Sequence, residues 1–93
     1  MWRRVRWDPA KNLLNQAKHG VGFEEAEVAV RDPLISIRED TAHADLERRF
    51  NVMGTSDRRR LLFVVIEEEW DGIIRIISAR RPTRRERHEY ESR

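Results

Sequence analysis

The stretch LLFVVIEEEWDGIIRIISAR, residues 61–80, decides the fold of this chain. Leu61 to Ile66 is apolar at every position, which is typical of a central strand that is buried on both faces. Trp70-Asp71-Gly72 predicts a hairpin turn, because Asp-Gly adopts the conformations that join two antiparallel strands. Ile73 to Ala79 is then a second central strand. The stretch therefore predicts the middle of an antiparallel sheet.

Two more strands are predicted before this hairpin. Phe50 and Val52 alternate with polar neighbours, so Arg49 and Asn51 share the opposite face. An earlier strand begins at Leu34 to Ile37, and the polar stretch Asp40 to Glu47 is a loop. Because short connections join the four strands, we expect them to form an antiparallel meander.

Helices are predicted on both sides of the meander. Asp8-Pro9 opens the first helix and His19-Gly20 closes it, with Gly as a left-handed cap. Its apolar stripe is predicted to be Ala10, Leu13, Leu14 and Ala17. A second helix carries Phe23, Ala26 and Val30 and stops at Asp32-Pro33. Thr83 and Glu86 have capping-box spacing and begin a third helix, in which Tyr90 is the only large hydrophobe.

The order of these elements defines the fold class. Arg3 to Trp7 alternates as a short first strand, with Trp7 in the core, while Trp70 is expected to be a packing lid or a surface for base stacking. Residues 1–93 are thus one α+β domain. It has an antiparallel four- to five-stranded sheet, two N-terminal helices packed on one face and a C-terminal helix, which leaves the other face partly open.

The composition narrows the setting of the protein. The 93 residues include no cysteine, which argues against a disulfide scaffold and excludes a Cys-ligated zinc site. No apolar run is long enough to cross a membrane, and Met1-Trp2-Arg3-Arg4 does not begin a signal peptide. We therefore expect a cytoplasmic protein with no membrane association.

Charge is distributed unevenly along the chain. Residues 1–47 carry seven Lys and Arg against nine Asp and Glu, whereas residues 48–93 carry twelve against eight. Arginine binds phosphate with two parallel hydrogen bonds and stacks on bases, so the second half favours RNA as a partner. The acidic residues of the first half favour a basic protein partner. The six that matter most for this expectation are Glu24, Glu25, Glu27, Asp32, Glu39 and Asp40.

Three groups of residues are candidates for a site. Arg80 and Arg81 end a central strand, whose backbone fixes them as a phosphate clamp. Arg49 and Asn51, with Arg48 beside them, could meet that clamp across the sheet, or they could be the outward polar residues of a half-exposed strand. The third group is a helical stripe of Arg81, Arg84, Arg85 and His88, which is either an RNA-binding face or a solvated surface paired with Glu86 and Glu89.

The histidines divide by position. His19 precedes the capping glycine and is expected to be structural. His43 in the polar loop and His88 on the last helix could each be a general acid or base. No two histidines have metal-ligand spacing on a predicted helix, so we expect no metal site and no other cofactor.

The chain as a whole resembles the BrnT-type toxins. The resemblance rests on an ordered set of motifs: WDPAKN at 7–12, KHGV at 18–21, FEEA at 23–26, Asp32-Pro33, ERRF at 47–50, Gly54, 61–65, IRIISARR at 74–81 and TRRER at 83–87 with Tyr90. It implies a RelE-like fold and the toxin of a type II toxin–antitoxin pair. The partner would be a BrnA-type antitoxin that blocks the toxin, and the resulting hetero-oligomer would bind operator DNA.

The resemblance also implies a metal-independent RNA endonuclease that cuts messenger RNA and so inhibits translation. The substrate's own 2′-hydroxyl would attack the adjacent phosphate. The strongest site matches are Arg49 and Arg80, which would hold the scissile phosphate, and then Arg81. His43, Glu47 or His88 would accept the proton. Asn51 departs from the pattern, since a basic residue there would help a phosphate site.

Two other functions remain open from the sequence. The chain could be a module that binds nucleic acid or an antitoxin without catalysis, with binding that weakens steeply as salt is added. It could also be a degenerate toxin that retains only antitoxin binding. Cleavage of RNA in the presence of a chelator separates catalysis from both alternatives.

Overall fold

A computed structural model describes residues 2–41 and 48–93 of the chain. Within these residues the elements follow the predicted order of one strand, two helices, four strands and a helix. They are β1 (Arg4–Arg6), α1 (Pro9–His19), α2 (Phe23–Val30), β2 (Ser36–Glu39), β3 (Arg48–Thr55), β4 (Leu61–Trp70), β5 (Ile73–Arg80) and α3 (Arg84–Glu91). No helix in this part of the chain is long and apolar enough to cross a membrane.

The five strands form one sheet in the order β1-β5-β4-β3-β2. The last four strands are the predicted antiparallel meander, and β4 and β5 occupy central positions. The expectation of a wholly antiparallel sheet needs one correction, because β1 pairs parallel with β5 from Arg4 opposite Ile73. The chain between them forms both helices and the rest of the meander, so β1 reaches the far edge running in the same direction as β5.

One face of the sheet carries the hydrophobic core. Phe23, Ala26 and Val30 of α2 are completely buried, as their spacing predicts. They pack against the sheet residues Val52, Leu62, Val64, Ile66, Ile74, Ile76 and Ala79. Trp7 is packed against this cluster, with its ring edge-on to Phe23 at 6.4 Å between centroids. The predicted core position of Trp7 is therefore confirmed.

The orientation of α1 is the opposite of the predicted one. Leu13 and Leu14 of the expected buried stripe are 68% and 69% exposed, and Asn12 and Asn15 are buried instead. The Asn15 amide donates to the carbonyls of Val21 (2.8 Å) and Ala79 (2.7 Å), and its oxygen accepts from the Ala79 N–H at 3.1 Å. β1 pairs with only the first three residues of β5, so Asn15 bonds the backbone of Ala79 where no strand covers it.

Asn12 completes the attachment of α1. Its side-chain oxygen accepts from the Phe23 N–H at 2.8 Å, and its amide donates to the Glu24 carboxylate at 3.0 Å. The first turns of α1 and α2 are thereby joined through one side chain. Polar contacts with specific backbone groups, rather than the apolar stripe, hold α1 in place.

Trp70 also departs from the prediction. It ends β4 opposite Ile73, and its side chain is 73% exposed rather than packed as a lid over the turn. The turn itself agrees with the sequence, since Gly72 has a φ of +73°. The indole lies at a strand end at the rim of the sheet, where none of the described helices covers it.

The acidic residues of the first half are largely engaged within the protein. Glu25 accepts from Arg60 Nε and Nη2, both at 2.7 Å, and from Ser56 Oγ at 2.6 Å. The Arg60 guanidinium holds the pKa of Glu25 below its usual range. Glu27 pairs with Arg31, and Asp32 accepts from the backbone N–H groups of Leu34 and Thr55. Among the carboxylates of this half that the structure describes, a basic partner would therefore find few that are not already engaged.

Candidate functional site

The face of the sheet opposite the core is partly covered by α3, and a cleft of about 410 Å³ lies between them. Its floor includes Asn51, Met53 and Phe63, which alternate with the core residues along β3 and β4. Its charged lining consists of three arginines and two carboxylates, namely Arg38, Arg85, Arg93, Glu86 and Glu89. The cleft therefore has guanidinium groups around a floor that is formed by two apolar side chains and one amide side chain.

Strand register places the floor of this cleft. Arg38 on β2 lies opposite Asn51 on β3, so both side chains project from the open face. Two residues further along β3, Met53 lies opposite Phe63 on β4, and Phe63 lies opposite Arg80 on β5. Phe63 is thus the central floor residue, with Arg80 next to it.

Arg80 is held on three sides. Its guanidinium lies 4.3 Å from the centroid of the Phe63 ring. Its two terminal nitrogens donate to the two oxygens of Glu86 at 2.8 and 2.9 Å, and one also donates to the Arg81 carbonyl. The Arg80 guanidinium lowers the pKa of Glu86 to about 2, and Glu86 raises the pKa of Arg80. The predicted rigidity of Arg80 is present, but a carboxylate neutralises its charge.

Glu86 also fixes the start of α3. It accepts from the Thr83 N–H at 2.8 Å while its own N–H donates to Thr83 Oγ1 at 3.1 Å, which is the predicted capping box. One carboxylate therefore caps the helix and ties it to β5. The far end of α3 is tied to the Leu34 carbonyl, which accepts hydrogen bonds from Tyr90 and Arg93.

The structure does not bring Arg49 to Arg80. Arg49 lies opposite Glu67 on β4, whereas Arg80 lies opposite Phe63. These β4 positions are four residues apart, or about 13 Å along the strand. Arg49 Nη2 instead donates to Glu67 at 2.5 Å, and its buried Nε has no hydrogen-bond partner among the described residues. The proposed clamp is thus divided between two ends of the open face.

Most of the other site residues predicted from the sequence lie outside the cleft. Arg48 pairs with Glu39 and Glu68 at the rim, and Arg81 is exposed just beyond β5. The residues of α3 that line the cleft are Arg85, Glu86, Glu89 and Tyr90. Helical geometry places Arg84 and His88 on the other side of α3, so the predicted Arg81–His88 stripe faces away from the sheet except at Arg85. His43 and Glu47 lie outside the described residues.

Two arginines of the cleft were not predicted. Arg38 could have been found from its alternation with Ser36 on β2, which points both side chains to one face. Arg93 stacks on Tyr90, with its guanidinium carbon 3.9 Å from the ring centroid, and lies one helical turn beyond Glu89, which is a weak signal in the sequence. Both depend on strand pairing and helix placement that involve distant parts of the chain.

Comparison with known proteins identifies the class. The family model described as the ribonuclease toxin BrnT of type II toxin–antitoxin systems matches residues 7–86. Together with the fold and the arginine-lined cleft, this match defines the chain as a ribonuclease toxin of a type II toxin–antitoxin system. Within that class, the chain belongs to the BrnT family, which confirms the family, the endoribonuclease class and an antitoxin as partner.

A solved structure agrees in fold. The chain is similar to the crystal structure of the Brucella abortus ribonuclease toxin BrnT, with a TM-score of 0.63. The two are 23% identical in sequence, and the alignment covers 87% of this chain and 97% of that one. A comparison with curated proteins found no match.

Proposed function

We propose that this protein cuts messenger RNA in the cleft between α3 and the open face of the sheet, and so inhibits translation in the cytoplasm. The reaction needs no metal: the 2′-oxygen of the RNA attacks the adjacent phosphate as its proton is removed, and the bond from phosphorus to the 5′-oxygen breaks. One product ends in a 2′,3′-cyclic phosphate, and the other has a 5′-hydroxyl after the leaving oxygen takes up a proton. A cognate BrnA-like antitoxin neutralises the toxin, and the hetero-oligomer binds operator DNA. The observation that carries the proposal is the lining of the cleft by Arg38, Arg85 and Arg93.

The arginines in and beside the cleft divide into two roles: Arg38 and Arg85 face the RNA, whereas Arg80 and Arg93 hold the walls of the cleft. The side chains of Arg38 and Arg85 are 76% and 90% exposed, so their guanidinium groups are accessible to phosphate oxygens and to the charge that develops during the attack. Arg80 is engaged by Glu86 and is a positioning residue that holds the wall of the cleft. Arg81, which is exposed beside Arg80, contacts the RNA backbone where the RNA enters the cleft. Asn51 and Phe63 on the floor contact the bases.

Arg49 belongs to a second contact. Since it lies about 13 Å along the strand from the level of Arg80, an extended RNA on the open face would place a different phosphate beside it. Its proximity to Glu67 limits that contact, because the carboxylate already accepts from its guanidinium. Arg48 and Arg84 lie outside the cleft and add to the positive field that attracts RNA.

The proton of the 2′-hydroxyl requires an acceptor. Glu86 is a poor base because its pKa is about 2. Glu89 is the other cleft carboxylate, and its contacts with Arg85 (3.5 Å) and Arg38 (3.8 Å) are longer than those of Glu86 with Arg80. We assign the proton acceptor to Glu89. His88 faces away from the cleft, and His43 stays a prediction from the sequence.

An end-labelled RNA incubated with the purified toxin in a chelator tests the reaction. We expect fragments with cyclic phosphate ends, and we expect Arg38→Ala, Arg85→Ala and Glu89→Gln each to slow cleavage by about 10-fold or more. Arg87→Ala is the matched control, because Arg87 is on α3 but pairs with Glu91 away from the cleft.

Three outcomes would contradict the proposal. Loss of cleavage in chelator would show a metal requirement. Equal losses in Arg87→Ala and Arg85→Ala would show that the position of the arginine on α3 does not matter. RNA binding that falls with salt but never leads to cleavage would favour the non-catalytic module.

A further inference from the structure

The outer face of α1 carries an apolar stripe that packs on nothing in the described structure. Ala10, Leu13, Leu14 and Ala17 are all exposed, and they repeat at positions i, i+3, i+4 and i+7. This spacing is typical of a helix that packs against another element along two turns. The inner face of α1 is already held by Asn12 and Asn15, so the described part of the fold does not use the stripe.

The charges beside the stripe indicate the chemistry of its occupant. Lys11 and Lys18 are the only lysines of the chain, and they lie one above the other along one side of the stripe. No residue of α1 is acidic. An occupant with an apolar face and carboxylates along one flank would bury the leucines and pair with both lysines.

A second copy of this chain fits the surface less well. In an antiparallel two-fold contact between two α1 helices, the lysine flank of each copy would face that of the other. The two helices would bring four lysines and no carboxylate, so like charges would meet at the rim of the contact. The charge pattern therefore favours a different protein.

We propose that this stripe docks an amphipathic helix of the cognate antitoxin, with Asp or Glu side chains on the flank next to Lys11 and Lys18. The inference rests on the antitoxin partner that the family defines, and it adds where and how the toxin is held. α1 is joined to α2, which covers the core face, whereas the cleft lies on the opposite face. Docking on α1 thus leaves the cleft to be blocked by another part of the antitoxin.

Affinity between the purified toxin and the antitoxin from the adjacent reading frame tests the surface. We expect Leu13→Gln/Leu14→Gln to weaken binding by about 100-fold and Lys11→Glu/Lys18→Glu by about 10-fold, since the leucines supply the buried apolar area. The lysine variant should also bind with a weaker salt dependence. Leu34→Gln is the matched control, because Leu34 is 68% exposed but lies between α2 and β2.

The result also separates this inference from the proposed function. RNA cleavage by the free Leu13→Gln/Leu14→Gln toxin should match the unmodified toxin, and its circular dichroism should be unchanged. Wild-type affinity in both double variants would overturn the proposal, as would a toxin dimer that the leucine variant converts to a monomer. If the toxin cleaves no RNA but the leucine variant loses the antitoxin, the docking surface stands and the proposed reaction fails.

Discussion

Replacement of Asn15 by leucine tests how α1 is held. A leucine there is what a simple apolar pattern would favour, but it removes two donated hydrogen bonds and one accepted one. The carbonyls of Val21 and Ala79 and the N–H of Ala79 would be left buried without these partners. At about 1–3 kcal/mol for each such group, less the gain from burying a leucine, we expect a net loss of about 2–4 kcal/mol.

Urea unfolding followed by tryptophan fluorescence measures this loss. For a domain of this size the total stability is about 5–14 kcal/mol and the denaturant slope is about 1–3 kcal/mol per molar urea. The midpoint should therefore fall by roughly 0.7–4 M with no change in slope. Lys11→Leu is the control, because Lys11 is exposed on the same helix and its replacement should change stability by less than about 0.5 kcal/mol.

A second substitution at the same site distinguishes hydrogen bonding from packing. Asn15→Asp keeps the shape of the side chain but cannot donate to the two carbonyls while it is ionised. We expect it to destabilise the protein at neutral pH as well. If Asn15→Leu is neutral or stabilising, apolar packing can replace the amide contacts and the account of α1 given above is refuted.

Two further predictions concern α3 and the contact of α2 with β3. Because the folded-state pKa of Glu86 lies near 2, below its ordinary value of 4.5, its contact with Arg80 stabilises the protein above pH 4.5 and is lost as the pH falls towards 2. Solvent screening at this partly exposed pair limits the effect to about 1–2 kcal/mol. The urea midpoint of Glu86→Gln should therefore fall less steeply with decreasing pH than that of the unmodified protein. Parallel curves of urea midpoint against pH for the two proteins would contradict this prediction. Gly54→Ala should lower the Tm by about 5–15 °C, because its Cβ would lie 2.1 Å from the Ala29 carbonyl oxygen, and a Tm within 2 °C of wild type would exclude that close contact.

Local signals in the sequence predicted most of the fold. The N-cap at Asp8, the left-handed Gly20 and the Thr83–Glu86 capping box each involve neighbours within a few residues, and all three are present. The meander followed from the turn at Asp71-Gly72 and the apolar strands around it. These features could be predicted because the residues that form them are close together in the sequence.

The errors arose where a side chain interacts with a distant backbone. The burial of Asn15 depends on Ala79, 64 positions away, so the pattern of α1 alone favours the wrong face. The distance between Arg49 and Arg80 depends on the register of three strands, with a bulge between β4 and β5 near Val65 and Ile66. Neither the burial of Asn15 nor the separation of Arg49 from Arg80 is visible in the local sequence around these residues.

The polar attachment of α3 links the fold to the reaction. This helix has no buried residue, so hydrogen bonds to Arg80 at one end and to the Leu34 carbonyl at the other determine its position over the sheet. The contact between Glu86 and Arg80, rather than core packing, therefore ties the start of α3 to β5. In the proposed function, Arg80 acts on the reaction through the helix that it anchors, while the exposed guanidinium groups of Arg38 and Arg85 bind the RNA.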